Sequence, residues 1–447
     1  MSIANAKSNG QPDLIVIGGG IAGLTAAALV ARAGRSVVVL EQSSNLGGRA
    51  ATQTRQGVHF NLGAHALYRR GRAYRVLTEL GVAFSGNAPP TGKALVFHKD
   101  KPYRLPQGPL SLFFSGLLTV GEKWRMAGLL SGFQKIDASR FDSVTVSDWV
   151  RQTAGTGMLA ELLFTLFRLS TYVNDPERLS AGAAIRQLQM ALVASVLYLD
   201  GGWQTLVEGL RLKASENGAR IRTGTGVESV RSDRGCVTIQ LSGGETVQSR
   251  TAILAVPPNV VSELLGRSAS DPLACRLSRC LPVRAACLDV ALRKLPRPAA
   301  RFALGLDKPL YYSVHSAAAK LAPDGIAVIQ LMKYLGNDTS GPEKIEQEMA
   351  SLLSLQQPGW RDLIVTKRFL PNMTVVYDFP RADAGGLSGR VGVKAGESVF
   401  LAGDWVGAEG MLADASLASA EEAARQAIAA LSTVPANPLR SPSHVNN

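Results

Sequence analysis

The sequence predicts an α/β fold, and two observations lead to this class. The chain has 447 residues, of which 46% are hydrophobic and 19% charged, a globular composition with material for about two to four domains. From Asp13 to Glu41, a short β-rich run, a glycine-rich turn, a helical pattern and a second β-rich run follow one another. This order of elements is a βαβ unit.

Each element of the βαβ unit can be assigned from its composition. "DLIVI" (13–17) is β-rich, and the Ala- and Leu-rich pattern after three glycines predicts a helix that ends near Gly34, a good C-cap residue. "SVVVLE" (36–41) predicts the second strand. Residues 14–31 carry no charge and are long enough to be weighed as a membrane span. A membrane span needs neither flanking strands nor regularly spaced glycines, so we prefer the βαβ interpretation.

The glycine spacing indicates what the turn binds. Gly18, Gly20 and Gly23 fall on G-x-G-x-x-G between the first strand and the helix. The first glycine permits a tight turn, the second lets backbone approach a pyrophosphate, and the third lets helix pack on strand. The helix N-terminus offers amide hydrogens to the phosphates. Glu41 ends the second strand, where it can accept hydrogen bonds from a ribose. These features predict a Rossmann-like dinucleotide-binding domain.

A second glycine pair follows the acid. Gly47, Gly48 and Arg49 begin six residues after Glu41, so a second backbone segment can cover the dinucleotide and the arginine can reach a phosphate or the ring end. The alternative is an ordinary Gly-Gly turn with a surface arginine. The combined motif resembles the signature of the flavin-containing amine oxidase and phytoene desaturase superfamily, and the chain is most similar to phytoene dehydrogenase-related oxidoreductases. This resemblance implies FAD rather than NAD as the cofactor.

Other segments resemble the same family, among them "GVHFNLGAHALY", "TAILAVPP" and "VFLAGDWVGAEGMLADAS". The resemblance implies further FAD contacts, namely Gly63 and Ala64 beside the flavin ring, Val227 at the adenine, Gly403 and Asp404 on the ribityl-phosphate side, and Met411 and Leu412 at the start of a helix directed at the pyrimidine end. The N-terminus of such a helix stabilises negative charge on a reduced flavin.

The FAD segments are separated along the chain, so the resemblance implies a discontinuous α/β FAD-binding domain with an inserted α+β substrate domain. We predict the FAD domain at 1–80, 196–270 and 390–433, the substrate domain at 81–195 and 271–389, and a disordered Pro-, Ser- and Asn-rich tail at 434–447. The first insert is predicted to be mainly helical, with Ser180 capping a helix. In the second insert, "RAACLDVAL" (284–292) and "GIAVIQLM" (325–332) predict strands of a sheet under the substrate cavity.

Two positions bear on the substrate. In amine oxidases of this superfamily a lysine lies near the reactive end of the flavin, and our alignment places Cys287 there. Those enzymes also frame the amine with an aromatic pair, whereas the final segment offers Met411, with Trp405 as the nearest aromatic. These departures disfavour an amine, and the resemblance to phytoene desaturases implies a long isoprenoid substrate.

The first insert contains a stretch with two interpretations. Leu105 to Phe133 mixes Leu and Phe runs with Lys123 and Arg125, and the whole chain carries a net charge of +13. A basic amphipathic segment can lie on anionic lipid and admit an apolar substrate from the bilayer. The alternative is that these helices pack into the substrate domain, as apolar stripes usually do. We expect no nucleic-acid partner, because the sequence has neither a long Lys/Arg run nor an aromatic-studded basic motif.

No catalytic constellation is evident from the sequence. His65 lies in the flavin loop and could exchange a proton, although a histidine satisfied by backbone is an equally good interpretation. Tyr172 and the pair Tyr311–Tyr312 are candidates for lining a cavity, with plain packing as the alternative. No C-x-x-C pair or Cys/His cluster is present, so no metal site is predicted and a reducing compartment fits.

The sequence therefore predicts an FAD-dependent oxidoreductase that takes a hydride from an apolar, isoprenoid- or carotenoid-like substrate. The alternatives are an amine oxidase, a protoporphyrinogen oxidase-like enzyme, a redox-neutral flavin isomerase, and a flavoprotein that binds an apolar ligand without catalysis. No signal pattern precedes Asp13, so a cytoplasmic location with peripheral membrane contact is expected. The electron acceptor and the oligomeric state are not predicted.

Overall fold

The structure is a computed structural model that describes residues 11–233 and 235–433, so the predicted disordered tail lies outside the described residues. The helices are α1 (Ile21–Arg32), α2 (Arg72–Glu79), α3 (Pro109–Phe113), α4 (Val120–Gly132), α5 (Val146–Ala154), α6 (Met158–Thr171), α7 (Ala181–Ala194), α8 (Gln204–Glu216), α9 (Pro258–Leu264), α10 (Pro272–Ser278), α11 (Pro342–Gln356) and α12 (Leu412–Thr433).

The strands are β1 (Leu14–Ile17), β2 (Val37–Leu40), β3 (Thr52–Arg55), β4 (Val58–Asn61), β5 (Leu67–Tyr68), β6 (Gly86–Asn87), β7 (Leu95–His98), β8 (Lys101–Arg104), β9 (Val196–Leu199), β10 (Arg220–Arg222), β11 (Val227–Asp233), β12 (Cys236–Leu241), β13 (Thr246–Ser249), β14 (Thr251–Leu254), β15 (Val283–Leu292), β16 (Phe302–Gly305), β17 (Leu310–Val314), β18 (Ala327–Tyr334), β19 (Ile364–Val376) and β20 (Val399–Leu401).

A five-stranded parallel sheet with the order β10-β2-β1-β14-β20 carries the βαβ unit. The central strands β1 and β14 are buried along their whole length, as expected for a parallel sheet covered on both faces. Helix α1 packs against α8 and α12. It ends at Arg32, and Gly34 takes a positive φ of 75° just beyond it. The predicted strand–helix–strand unit and the Rossmann-like α/β class are confirmed.

A seven-stranded mixed sheet has the order β19-β15-β18-β17-β16-β7-β8. The two strand-like runs predicted in the second insert are its neighbouring strands β15 and β18, paired antiparallel. One face of this sheet packs against α11, and the other faces the helical insert formed by α5, α6 and α7. Because side chains alternate between the faces of a strand, residues two apart on β15 and β18 lie on the same side.

The first insert is mainly helical, as predicted, but it also contributes a hairpin to the larger sheet. Strands β7 and β8 pair with each other, and β7 continues parallel to β16. Their connection turns at Lys99 and Asp100, both of which have positive φ. Neither residue is a glycine, so the sequence lacks the usual short-hairpin signal. The predicted cap of Ser180 is present, since its hydroxyl accepts a hydrogen bond from the Ala183 amide.

The predicted domain boundaries stay a prediction, although one element crosses them. Helix α10 lies inside the stretch assigned to the substrate domain, yet its Leu277 is buried in the core that surrounds the five-stranded sheet. Three small sheets, β11-β12-β13, β3-β4 and β5-β9-β6, join the remaining segments. Among the described residues, no helix combines the length and apolar character that crossing a membrane requires.

Candidate functional site

The glycine-rich turn after β1 serves two steric purposes. A Cβ at Gly18 would lie 2.5 Å from the Ala255 carbonyl oxygen, and one at Gly23 would lie 1.9 Å from the Gly18 carbonyl oxygen. These two glycines are therefore required by the packing of the chain itself. Gly20 differs, because the nearest atom to a Cβ there is the Gly47 carbonyl oxygen at 3.9 Å. Gly20 caps helix α1 without a side chain and so leaves room at the helix N-terminus.

Glu41 stands at the end of β2, directly beside this turn. One carboxylate oxygen accepts a hydrogen bond from the Gly19 amide at 2.6 Å, and the other accepts one from the Ser43 amide at 2.8 Å. The Glu41 carbonyl accepts a hydrogen bond from the Thr225 amide, two residues before Val227. The structure thus brings Glu41 close to the segment that holds Val227. Each carboxylate oxygen keeps a second lone pair for another donor.

The second glycine pair lies against the first. The Gly47 amide donates to the Gly19 carbonyl at 2.9 Å, and Gly47 has a φ of 110°. A Cβ at Gly48 would find only the Gly20 Cα, at 4.0 Å. Two glycine-lined backbone segments therefore face one groove, with open space above Gly20 and Gly48. This groove fits the phosphates and ribose of a dinucleotide such as FAD.

Arg49 and Asp404 were predicted as separate cofactor residues, and the structure joins them. The guanidinium contacts the Asp404 carboxylate at 2.5 Å and donates to the Val375 carbonyl at 2.6 Å. It also lies 4.4 Å from the centre of the Tyr377 ring. Asp404 is 2% exposed, so Arg49 supplies the counter-charge for a buried acid. Cofactor contacts by both residues stay a prediction.

The loop that contains Gly63 and Ala64 is held by residues distant in sequence. Gly63 has a φ of 106°, and a Cβ there would lie 2.8 Å from Met373 Cε and 3.9 Å from Cys287 Sγ. The hydroxyl of Tyr172 donates a hydrogen bond to the Ala64 carbonyl. Loop, sheet and helical insert therefore meet at one point.

His65 follows this loop in a structural setting. Its Nδ1 lies 2.9 Å from the Gly63 carbonyl, which can only accept, so Nδ1 carries the proton. The imidazole centre lies 4.7 Å from the Trp203 ring. Burial lowers the pKa of His65 to about 4, which keeps the ring neutral at pH 7. These contacts favour the interpretation of a histidine satisfied by backbone.

The predicted aromatic residues separate onto two faces of the larger sheet. Tyr311 lies on the face towards the helical insert, where its hydroxyl contacts Tyr198 at 2.7 Å and His315 Nε2 at 3.0 Å. Tyr312 lies on the opposite face, and its hydroxyl donates to the Ala300 carbonyl. The alternative of plain packing therefore applies to Tyr312, and the two tyrosines do not share a surface because adjacent residues on a strand point to opposite sides.

Cys287 lies at the centre of an uncharged cluster. Its thiol is 1% exposed, lies 3.3 Å from the Met373 sulfur, and has a pKa raised by burial. We call its surroundings the ring-end cluster, which consists of Ala64, Tyr172, Cys287, Met332, Tyr334, Met373 and Met411. Trp405, considered above as a partner for the substrate, is instead buried in the core of the five-stranded sheet.

Two charged residues near the start of α12 were not predicted. Asp414 accepts a hydrogen bond from the Ala73 amide at 2.8 Å, and burial raises its pKa to about 7. Its position in the first turn of a predicted helix was the available signal. Arg390 is buried and donates to the carbonyls of Asp404 and Gly410, which fixes the chain just before α12 begins at Leu412. Nothing local in the sequence marks Arg390.

No group of three or more His, Cys, Asp or Glu residues is arranged for a metal ion within 11–233 and 235–433. Cys236, Cys275, Cys280 and Cys287 are all free thiols.

Comparison with protein families matches residues 21–428 to the family described as flavin-containing amine oxidoreductase. A probable flavin-containing monoamine oxidase A of Dictyostelium discoideum is 23% identical over 299 residues, which are 61% of this chain and 63% of that protein. A putative flavin-containing monoamine oxidase AofH of Mycobacterium tuberculosis is 27% identical over 269 residues, 55% of this chain and 57% of that protein. The chain thus spans about three fifths of these relatives. Human all-trans-retinol 13,14-reductase is 46% identical over 57 residues, 13% of this chain and 9% of that protein.

Solved structures resemble the whole fold at low identity. An oxidoreductase from Methanosarcina mazei superposes with a TM-score of 0.74 at 17% identity, covering 92% of this chain and 99% of that one. A putative protoporphyrinogen oxidase from Exiguobacterium superposes with a TM-score of 0.71 at 18% identity, covering 93% and 99%. At these identities the similarity establishes the fold.

Proposed function

The chain belongs to the flavin-containing amine oxidoreductase family, and from this premise we propose that it is an FAD-dependent oxidoreductase that dehydrogenates an apolar, isoprenoid- or carotenoid-like substrate. FAD, when bound, supplies the hydride acceptor. The protein binds and orients cofactor and substrate, and it excludes water from them.

The groove residues fit the cofactor. The open space at Gly20 and Gly48 admits a pyrophosphate beside the N-terminus of α1, where backbone amides and the helix dipole favour anions. Glu41 accepts from the ribose, and Gly63 and Ala64 border the ring. None of the four cysteines lies in 390–433, where family members can form a thioether link, so the FAD is non-covalent. Denaturation should release intact FAD, whereas a colourless protein that does not take up added FAD would contradict this assignment.

The observation that carries the substrate proposal is the apolar surface around Cys287, to which Tyr172, Met332, Met373 and Met411 contribute. Every side chain in that cluster is aliphatic, aromatic, thioether or neutral thiol. A protonated amine that entered it would lose hydration, and the acid two residues from Cys287 on β15, Asp289, is already paired with Arg368, so the amine would lack a counter-charge of its own at a cost of several kcal/mol. An isoprenoid chain gains from the same burial, at about 25 cal/mol per Å². The cluster therefore favours an apolar substrate over an amine.

Anaerobic flavin bleaching tests this choice. The FAD-loaded protein is mixed without oxygen with an isoprenoid polyene precursor, a primary amine or a porphyrinogen at matched concentrations. We expect bleaching by the isoprenoid, with free FAD as the unreactive control. Bleaching by the amine alone would support the monoamine oxidase activity for which several relatives are named. If none bleaches the flavin, turnover of the isoprenoid by pre-reduced protein would support an isomerase, and its absence a non-catalytic flavoprotein.

An exposed apolar face supports delivery of such a substrate from lipid. Ten large hydrophobic side chains of the described residues are exposed, and six of them lie in α3, α4 and the segment between them: Leu110, Phe113, Phe114, Val120, Trp124 and Leu130. We call these six residues the apolar face. Leu112, Leu117 and Met126 are buried beneath it, so the segment both packs and exposes hydrophobic surface. Exposed patches of this kind mark interaction sites.

Basic groups accompany the apolar face. Lys123 donates to the Phe113 carbonyl, which holds its ammonium next to the phenylalanines, and Arg125 on the same helix donates to the Ala154 carbonyl at the end of α5. Each basic group near an anionic surface contributes about 1 kcal/mol of binding. We therefore assign reversible peripheral binding to anionic bilayers to this face.

Flotation with liposomes tests the assignment. The protein should float with anionic vesicles at low salt and float less with neutral vesicles or in high salt, where charges are screened within about 3 Å at 1 M. The variant Phe113→Ser/Phe114→Ser/Trp124→Ser should remain in the soluble fraction. The matched control Leu212→Ser/Leu355→Ser removes exposed hydrophobic residues outside this face and should float normally. If both variants float with anionic vesicles to the same extent, the apolar face does not bind the bilayer.

A further inference from the structure

Two neighbouring rows of side chains cross the larger sheet on the face towards the ring-end cluster. The strand register places Leu370, Cys287, Met332 and Tyr311 side by side on β19, β15, β18 and β17. Two residues further along each strand, the register places Arg368, Asp289, Gln330 and Ser313 side by side. We call these the apolar row and the polar row. They are about 7 Å apart, the rise of two strand residues.

Most of the polar row is satisfied by the protein. Arg368 donates to Asp289 through Nε at 3.0 Å and Nη2 at 2.5 Å. It also donates to the Phe60 and Asn61 carbonyls, which attaches the row to the strand leading into the Gly63 loop. At the other end, the Ser313 hydroxyl contacts the Tyr198 hydroxyl at 3.2 Å.

Gln330, in the middle of the row, is the exception. It is 1% exposed, and neither its amide oxygen nor its amide nitrogen has a hydrogen-bond partner within the described part of the chain. Asp289 next to it also keeps one carboxylate oxygen without a partner. Buried polar groups are almost always hydrogen-bonded, because an unpaired buried donor or acceptor loses its hydration without compensation. The two neighbouring side chains therefore require a partner from outside the chain, either an ordered water or a ligand group.

The donor and acceptor types define that partner. Gln330 offers an amide donor and an amide acceptor, and the free Asp289 oxygen offers a second acceptor, on adjacent strands whose directly opposite Cβ atoms lie about 4.5–5.5 Å apart. A hydroxyl group can accept from the Gln330 amide nitrogen and donate to the Asp289 oxygen, and the Gln330 amide oxygen then accepts from an ordered water. A ketone or ether would leave the Asp289 oxygen unpaired, and a hydrocarbon would leave both groups unpaired.

We infer that Gln330 and Asp289 bind a hydroxyl group of the substrate, so that the substrate is an isoprenoid alcohol rather than a pure hydrocarbon. The inference rests on the proposed function and narrows its substrate class. In this arrangement the apolar chain of the substrate lies along the apolar row beside Cys287 and Met332. The substrate hydroxyl lies at the polar row. Its position determines how far the apolar chain of the substrate extends beneath the Gly63 loop. Gln330 is thus the residue that sets specificity.

Ligand binding to the FAD-loaded protein tests this inference. The probes are geranylgeraniol and the hydrocarbon that lacks its hydroxyl, and dissociation constants are measured by calorimetry on protein whose FAD has been reduced beforehand, so that no hydride transfer accompanies binding. The wild type should bind the alcohol about tenfold more tightly, the worth of one or two buried hydrogen bonds. Gln330→Leu should abolish this preference, and Gln330→Met, which matches the glutamine more closely in shape, should do the same if the leucine variant folds poorly.

The control variant is Gln187→Leu. Gln187 on α7 is also buried with an unpartnered amide nitrogen, but it lies outside the polar row. This variant should keep the tenfold preference.

Equal binding of alcohol and hydrocarbon by the wild type would overturn the inference. Retention of the preference in both Gln330 variants would also overturn it, and would assign an ordered water as the partner of Gln330. In either case bleaching by the isoprenoids would leave the proposed function intact. If neither isoprenoid binds and an amine bleaches the flavin, the proposed function itself fails, and this inference fails with it.

Discussion

The two ends of the cofactor groove are built from different parts of the polypeptide. At the phosphate end, glycine backbone segments face each other, and the Gly47 amide donates to the Gly19 carbonyl. At the ring end, side chains from distant segments converge, such as Tyr172 on Ala64 and Arg49 on Asp404. Main-chain atoms bind phosphates in the same way whatever the substrate is. The ring end instead depends on side chains that only tertiary packing brings together.

The largest expected effect comes from removing the buried Arg368–Asp289 ion pair, which lies beside the ring-end cluster. Arg368→Met leaves Asp289 buried without its partner, and removal of one member of a buried ion pair costs about 3–5 kcal/mol. Chemical denaturation measures this change in the free energy of unfolding. The neighbouring Lys367→Met is the control, because the Lys367–Glu346 pair is exposed and should contribute less than about 1 kcal/mol. Equal effects would mean that the buried pair does not hold the ring end.

The next prediction concerns Glu41, which lies at the phosphate end. Glu41→Ala should weaken FAD binding by about 1.5–3 kcal/mol, or roughly tenfold to a hundredfold, because charge-assisted hydrogen bonds to the ribose are lost. Titration of the apoprotein with FAD gives the affinity. Glu41→Gln should lose less, since its amide oxygen still accepts from the Gly19 amide. An unchanged affinity in the alanine variant would move the ribose contact elsewhere.

Two glycine variants separate folding from binding at the phosphate end. Gly23→Ala forces a Cβ against the Gly18 carbonyl and should destabilise the apoprotein by about 1–3 kcal/mol. Gly20→Ala places its Cβ in open space, so apoprotein stability should change little while FAD affinity falls. Thermal melting without FAD and titration with FAD distinguish the two. If Gly20→Ala binds FAD as tightly as the wild type, the open space is not the phosphate site.

The smallest expected effect is a pH dependence at the ring end. The pKa of Asp414 is about 7 in the folded protein, against 3.8 ordinarily, so between these values the folded state holds a proton that the unfolded chain has released. Protonated Asp414 therefore makes its full contribution to the free energy of unfolding below pH 4, and this contribution is lost as the pH rises through 7. Asp414→Asn should remove this slope, which we place at about 1 kcal/mol per pH unit or less, since helix N-termini favour the anion.

Urea unfolding of the apoprotein at pH 5 and pH 7.5 measures the Asp414 effect. Relative to Asp414→Asn, the wild type should have a lower free energy of unfolding at pH 7.5 than at pH 5, because Asp414 loses its proton between these two values. Parallel stability curves for the wild type and Asp414→Asn would show that the acid does not titrate in this range.

The features predictable from the sequence are those determined by neighbouring residues. The Gly18–Gly23 spacing dictates the turn, and the Ser180 cap depends on residues within one helical turn. The hydrogen-bond partners of Arg368 lie 79 or more residues away in sequence, and no local pattern predicts them. The side of the sheet on which Tyr311 and Tyr312 lie depends on strand register, which tertiary packing sets.

The segment from Leu105 to Phe133 shows the same limit. Its composition was compatible with apolar side chains that pack into the substrate domain and with apolar side chains that face solvent. The structure contains both kinds, since Met126 is buried and Trp124, two residues earlier, is exposed. Helical periodicity alone does not decide which apolar residues find a partner, because that depends on how closely α4 approaches α6. The unpaired Gln330 is visible only once four strands are in register.

The order of strands in the five-stranded sheet has a consequence for biosynthesis. Strand β20 begins at Val399, whereas β2 ends at Leu40, and β14 pairs with β20 along its outer edge. Strand β14 ends at Leu254, and at a translation rate of about 5–20 residues per second the ribosome needs on the order of ten seconds to reach Val399 from there. During that time the β14 edge of the nascent chain is open to pairing with other chains. Asp404 and α12 follow β20 along the chain, so Arg49 also waits for its buried partner until after the β14 edge has been exposed.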